Sequence, residues 1–396
     1  MNDTPIKIGL VGCGGRGTGA AENCLQSAKN IEIVALADMF PDRLNGCRKF
    51  LADMKHPGVK IEDKNCFTGF DAYKRLLETE VELVLFATPP GFRPMHVEAA
   101  VDAGKHVFME KPVAVDPVGC RKIMEVGKKA EQKKLTVVAG TQYRHQEGFM
   151  LCMKRVHEGA IGDIRAGRIY YNGGGAWHYD RKPNESDMEF QIRNWYYYDW
   201  LSGDFIVEQH IHTIDVMVWA MKGPPMRATA TGGRTQRVGP KYGNIYDHFA
   251  IDYEYPGGVH ILSMNRHWEG SPGHVGAYFH GSKGMAIPYG SYNGHKEWAS
   301  EITGPNAWVY DGSATLGSAY VTEHADLVAS IRGGHAVNES KQVADSTLTA
   351  IMGRQAAYTG KTVTWEEMAK SLTDYSPDEY AFGPLPERPV PMPGKS

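Results

Sequence analysis

The apolar positions of this chain fall into two regimes. Up to about residue 143 they form short, nearly unbroken runs separated by helical stretches. Ile6 to Val11 reads as a strand stopped by Gly12, and a helix is expected over about 17–28. The β-branched run Ile31 to Ala37 ends at Asp38. Val81 to Ala87 has the pattern of a buried strand, stopped by Thr88-Pro89-Pro90. Helices follow over 94–103, closed by Gly104, and over 118–133; strands follow over 105–109 and 135–140. Short apolar strands alternating with helices predict an α/β fold, a doubly wound parallel Rossmann sheet covered on both faces.

Beyond Tyr143 the period changes. A helix (148–158) and a strand (164–171) lead into a long polar and aromatic loop, then a helix over 205–221. Alternating runs at 227–234, 246–255, 259–265 and 275–280 are separated by turns at Pro256-Gly257-Gly258 and at Gly281 to Gly284. Period two argues a large, mainly antiparallel sheet with helices on one face, an α+β domain. Helices near 324–332 and 341–358 close it. The expected division is 1–143 and 144–396, with no internal repeat; the Pro-rich stretch after Pro384 reads as a loose tail.

Composition narrows the function classes. Lys+Arg is 43 against 46 Asp+Glu, a formal net charge of -3, so a strongly basic nucleic-acid binder is not expected. No apolar run reaches the ~18 residues of a membrane span, and Met1 to Pro5 is too short for a secretion signal before the first strand. The six cysteines all lie in the first 152 residues, without a CxxC pair; this usage suggests a reducing, cytoplasmic setting.

Gly12-Cys13-Gly14-Gly15-Arg16-Gly17 is G-x-G-x-x-G between a strand and a helix, and Asp38 ends the next strand. Gly12 permits the tight turn, Gly14 the approach of a pyrophosphate, and Gly17 close helix–strand packing. The helix N-terminus supplies free N–H groups for phosphate. A carboxylate at Asp38 can accept both ribose hydroxyls of NAD and repels the 2′-phosphate of NADP, although Arg43 softens that repulsion. NAD is therefore the expected cofactor, with NADP the lesser choice.

His106-Val107-Phe108-Met109-Glu110-Lys111-Pro112, after Ala103-Gly104-Lys105, together with the glycine loop, Asp38 and Thr88-Pro89-Pro90, resembles the Gfo/Idh/MocA oxidoreductase family. The resemblance implies NAD(P)-dependent oxidation or reduction of a sugar, polyol or related ring alcohol. It also implies an open-faced sheet that assembles a homodimer or homotetramer. The cofactor set is then Gly12, Gly14, Gly15, Arg16, Gly17, Asp38, Arg43, Thr88, Pro89, His96, Glu110 and Lys111. By the same resemblance Lys111 lies beside the reacting hydroxyl. His212 matches the histidine of an Asp-x-x-x-His motif in which Glu208 replaces the aspartate.

Oxidising a secondary alcohol needs a base for the hydroxyl proton and a C–H held over the nicotinamide. His212 can be that base, and Lys111 can polarise or relay at the same oxygen. On one helix Glu208 and His212, at i and i+4, share a face. The i, i+2 pair His210 and His212 faces apart, so no metal site is expected. Aromatic faces stack on sugar C–H faces. The expected substrate-binding set is Trp195, Tyr198, Asp199, Trp177, His178, Arg193, Tyr143, Arg144, His145, His210 and His248. Alternatives to a dehydrogenase are an enzyme that transiently oxidises a glycoside and cleaves it by elimination, and a non-catalytic nucleotide-binding protein. Glu208, His212 and Lys111 together argue against the last.

Overall fold

The structure, a computed structural model, describes residues 4–290, 299–310, 312 and 318–395. The first sheet comprises β1 (Ile6–Val11), β2 (Ile31–Asp38), β3 (Cys66–Thr68), β4 (Leu83–Phe86), β5 (His106–Met109) and β6 (Val137–Ala139). All are parallel, in the order β3-β2-β1-β4-β5-β6. The order reverses between β1 and β4, where an open α/β sheet leaves a crevice for ligand at the strands' carboxyl ends. Helices α1 (Gly15–Ser27), α2 (Pro41–Asp53), α3 (Ala72–Leu77), α4 (Arg93–Asp102) and α5 (Pro117–Gln132) connect the strands. β4 is buried along its whole length, which explains its unbroken apolar run.

The second part contains α6 (Glu147–His157), β7 (Ile164–Gly173), α7 (Asp187–Arg193), α8 (Asp199–Ser202), α9 (Phe205–Glu208) and α10 (Ile211–Ala220). There follow β8 (Arg227–Gly233), β9 (His248–Tyr255), β10 (Val259–His267), β11 (His274–Gly281), β12 (Met285–Tyr289), β13 (Ser300–Ile302) and β14 (Trp308–Tyr310). The last elements are α11 (Ala319–Gly333), α12 (Ser340–Thr359), β15 (Val363–Thr364) and α13 (Trp365–Lys370). The sheet order is β14-β13-β12-β11-β7-β10-β9-β8-β15. Among its pairs β7–β10 is parallel and the others are antiparallel. One face carries Ile251, Tyr253, Ile261 and Phe279 into a core shared with Ile214 and Met217 of α10 and Ile351 of α12. On β10 the alternate positions His260, Leu262 and Met264 face solvent.

Three features differ from the sequence reading. First, α11 and the start of α12 complete the first sheet's packing. Leu327 and Val328 share a core with Ile8, Leu10 and Ile33, and Val343 and Ala344 share one with Val107 and Ile123. Second, the helix expected over 205–221 is interrupted at Gln209-His210. His210 N–H reaches back to Phe205 O, and the next turn tightens, with His212 N–H on Gln209 O and Thr213 N–H on His210 O. Third, the Pro-rich tail is fastened. Tyr375 N–H donates to Asp116, Leu385 N–H to Asp187, Arg388 pairs with Asp199, and Tyr246 hydroxyl donates to Pro391 O.

Candidate active site

The glycine loop leaves room where a diphosphate would lie and none where the chain must close. A Cβ on Gly12 (φ +97°) would come within 2.7 Å of the Ala87 and Thr88 backbone, and one on Gly17 within 1.8 Å of Gly12 O. A Cβ on Gly14 or Gly15 would meet nothing within 4 Å. Among the described residues no side chain caps α1, so its first N–H groups stay available to an anion. Asp38 accepts from Cys13 N–H at 2.6 Å and from Phe40 N–H at 2.8 Å, which aims its carboxylate at the cleft. Burial nevertheless pushes its pKa up, opposed by those two N–H groups and by Arg43. The cleft, about 600 Å³, is lined by Gly12, Gly14, Gly15, Arg16, Asp38, Arg43, Thr88, Pro89 and His96. These residues fit a dinucleotide.

Glu110 does not line that cleft: it is buried beside Arg16, Oε1 to Nε 3.0 Å. His96 forms part of the cleft wall, within reach of Thr88 Oγ1 at 3.2 Å and packed on Tyr73. Burial takes its pKa down to about 3, so it serves as a neutral surface.

Lys111 follows β5, and its peptide bond to Pro112 is cis. Its Nζ donates to the backbone carbonyl of Glu208 at 2.6 Å and lies 3.2 Å from Glu208 Oε1. In an unbroken helix that carbonyl would accept from His212 N–H. The interruption turns His212 N–H to Gln209 and releases the carbonyl to Lys111. Glu208 Oε2 is buried and has no hydrogen-bond partner among the described residues. Burial raises the Glu208 carboxyl, against the pull of Lys111 and Arg93. His212 lines a small recess with Lys111, Thr141, Tyr143, Ile211 and Asp215. Burial, then the Lys111 charge, lowers its pKa well below the ordinary value, leaving a neutral imidazole between the rings of Tyr143 and Tyr171.

The expected substrate residues separate into groups. Tyr143 is at the recess. Trp177, Trp195 and Arg193 line the larger cleft near Asp38 rather than the recess around Lys111. Arg144 is locked in a two-point bond to Asp215 (2.8 and 3.0 Å), His145 faces Asp326 and Glu339, and His178 faces Asp180.

Arg144, His145 and His178 line neither the cleft nor the recess, and four more do not reach them. Tyr198 is buried against Phe190, and Asp199 is taken by Arg388. His210 is fully buried with its ring nitrogens facing Ser263 and Thr213. His248 pairs with Asp247 beside Trp268.

Sequence reasoning missed Arg93. Buried at the start of α4, it donates to Pro112 O and Thr88 O and so joins the turns carrying Lys111 and Thr88; burial pulls its guanidinium down to about 10. An arginine amid Phe92 and Pro94 was the available signal. Tyr171, whose hydroxyl donates to Gln209 Oε1, was missed because a strand tyrosine looks like core.

A glycine-loop cleft and a Lys–Glu–His group gathered from two domains define a class of two-domain dinucleotide-binding proteins. Residues 6–140 match the oxidoreductase family with an NAD-binding Rossmann fold, and residues 149–287 match the GFO/IDH/MocA C-terminal domain. The chain belongs to the Gfo/Idh/MocA oxidoreductase family. An uncharacterized oxidoreductase of Streptococcus pneumoniae is 27% identical over 250 residues, 63% of this chain and 59% of its own length. Inositol 2-dehydrogenase of Pseudomonas fluorescens is 32% identical over 161 residues, 40% of this chain and 43% of its own. The chain therefore matches 59% and 43% of the lengths of these relatives. Scyllo-inositol dehydrogenase of Lactobacillus casei shares the fold, with a TM-score of 0.68 at 21% identity over 92% of this chain and 99% of that one. So does aldose-aldose oxidoreductase of Caulobacter crescentus, with a TM-score of 0.70 at 18% identity over 91% and 99%. Among the described residues no helix is long and apolar enough to cross a membrane.

Proposed function

We propose that the protein is an NAD-dependent oxidoreductase that moves a hydride between nicotinamide and a secondary hydroxyl or keto group of a sugar, glycoside or polyol. The observation that carries this reading is the convergence of Lys111 with Glu208 and His212 beside a dinucleotide-shaped cleft. The nicotinamide, when bound, supplies the hydride acceptor or donor.

The chain's own residues do the rest. His212, held neutral, has a free lone pair for the substrate's hydroxyl proton. Lys111 donates a hydrogen bond to the same oxygen as it becomes a carbonyl. Glu208 fixes the Lys111 ammonium through its carbonyl and Oε1, while Oε2 can take a neighbouring substrate hydroxyl. Asp38 selects NAD over NADP. Relatives named inositol 2-dehydrogenase support a cyclic polyol or sugar as the substrate class. The exposed face of the nine-stranded sheet supports a homo-oligomer, and six unpaired thiols support a reducing compartment.

A second reading is transient oxidation followed by cleavage and hydride return. One relative is named 2,7-anhydro-N-acetylneuraminate hydratase of Escherichia coli, 28% identical over 178 residues. Turnover decides between the two: a dehydrogenase consumes stoichiometric NAD, whereas the second reaction proceeds on catalytic NAD. The test of the main reading is a panel of inositols, free sugars, keto-sugars and glycosides followed by NADH absorbance. On the best substrate, Lys111→Ala and His212→Ala should each lower kcat by at least ~10² with NAD affinity little changed. Glu208→Gln should cost less, because it keeps the backbone carbonyl and an acceptor. Near-wild-type turnover in either alanine variant rejects the assignment.

A further inference from the structure

We propose that the tail segment 376–382 is part of the nucleotide site, with Tyr380 walling its adenine end and Phe382 holding the segment against Phe40 and Phe70, so that the tail retains the dinucleotide. This rests on the reading that the larger cleft takes NAD. Asp38 marks where the adenosine ribose would sit, so the base lies beyond it, against the turn from β3 into α3. Gly69, Phe70 and Tyr73 line the cleft there.

The tail reaches this place because it is pinned on both sides. Tyr375 N–H donates to Asp116 Oδ2, the cap of α5 in the first domain, at 2.9 Å. Gly383 O accepts from Met188 N–H of α7 at 3.2 Å. Between these pins Tyr380 lines the cleft, 5.5 Å ring to ring from Phe92. Phe382 stacks on Phe40 at 6.1 Å and lies 5.0 Å from Phe70. Phe40 is the residue whose N–H holds Asp38 Oδ1, so the tail reaches the ribose acceptor through Phe40.

The cleft is also closed around Phe40 and Arg43 by other residues from outside the first domain. Arg193 packs over the Phe40 ring at 3.8 Å and pairs with Asp42, and Arg43 donates to the Tyr179 hydroxyl at 3.0 Å. The pins at Leu385, Arg388 and Pro391 are enough to dock the tail. A docking strand alone would not put an aromatic ring on the cleft wall. Every base has a π-face that an aromatic side chain can stack against. A strap that must lift before the nucleotide leaves acts on release more than on entry.

The test is stopped-flow release of NADH from the full-length protein, with Tyr380→Ala, Phe382→Ala, Tyr380→Phe and, as a control on the exposed part of the tail, Leu372→Ala. Tyr380→Ala should release NADH ~10-fold faster or more, the scale of a lost base–aromatic stack, and Phe382→Ala, which frees the segment from Phe40 and Phe70, should speed release more than twofold, with association little changed in both. Tyr380→Phe should release at the wild-type rate. Should Phe382→Ala fail to fold, Phe382→Leu replaces it and should show the same direction. Release within twofold of wild type at both positions overturns the proposal, as does equal acceleration by Leu372→Ala. A wild-type protein that binds neither NADH nor NADPH refutes the cofactor reading itself, and is separately visible as an absence of signal in every variant.

Discussion

Around Lys111 the decisive residue property is which charge survives burial. His212 is driven neutral, Glu208 is raised by burial and held down by two cations, and Arg93 ties both turns. Asp38 is the residue that reports on cofactor choice. Asp38→Ala should narrow the preference for NAD over NADP, by removing the ribose acceptor and the repulsion of a 2′-phosphate; calorimetric titration with both nucleotides checks it, and tighter binding of NADP by the wild type refutes it. Asp204 reports on stability. It is fully buried at φ +77°, accepts from Phe205 N–H, Tyr246 N–H and Tyr358 hydroxyl, and burial raises it to about 7. Its unfolded value is ~3.9, so between these values the folded state holds the extra proton and stability falls as pH rises. The stability difference between wild type and Asp204→Asn, from urea unfolding at several pH values, should decline by up to ~1.4 kcal/mol per pH unit over that window. A flat difference would contradict it. Asp204 was invisible in the sequence because nothing local marks a buried acid.

At the scale of elements, legibility followed length and burial. β1 and the run ending at Asp38 were readable because largely buried strands leave nearly continuous apolar runs, which also frame Gly12 and α1 between them. α2 was not read, having few buried positions, Leu44, Cys47 and Leu51 among them. The three residues of β3 and six of α3 are too short to carry a period. The interruption between α9 and α10 was hidden for another reason: His210, where the ladder breaks, has its ring nitrogen on Ser263 of a distant strand, a partner no local pattern shows. Thus Lys111, Glu208 and His212 could be named from sequence, while the carbonyl contact that joins two of them could not. In the aromatic stretch 194–200 the structure puts Trp195 on the larger cleft and buries Tyr198 and Asp199 away from it, which loop composition cannot tell because it does not say which way a side chain turns.

For the whole molecule, the two sheets are tied at several separated places: Lys111 to Glu208, Arg193 to Asp42, Arg354 to Val115 O and α12 against α5. The exposed Leu262 and Met264 on β10 leave apolar surface on the sheet face beside the cluster of Tyr170, Tyr278, Met285 and Ile287. The assembly read from that face predicts a dimer or tetramer by light scattering. Leu262→Asp with Met264→Lys should shift it toward the monomer, and a wild-type monomer at micromolar concentration would refute it. The pinned tail has a consequence in the order of synthesis. The glycine loop and all six parallel strands emerge by Ala139, yet the wall residue Tyr380 comes 241 residues later. At ~5–20 residues per second, roughly 12–48 s separate the two. During that interval the growing chain gains first the rim residues Tyr179 and Arg193, then the packing of α11 and α12, and last Tyr380, so under the proposed strap a dinucleotide site becomes complete only when the tail is made.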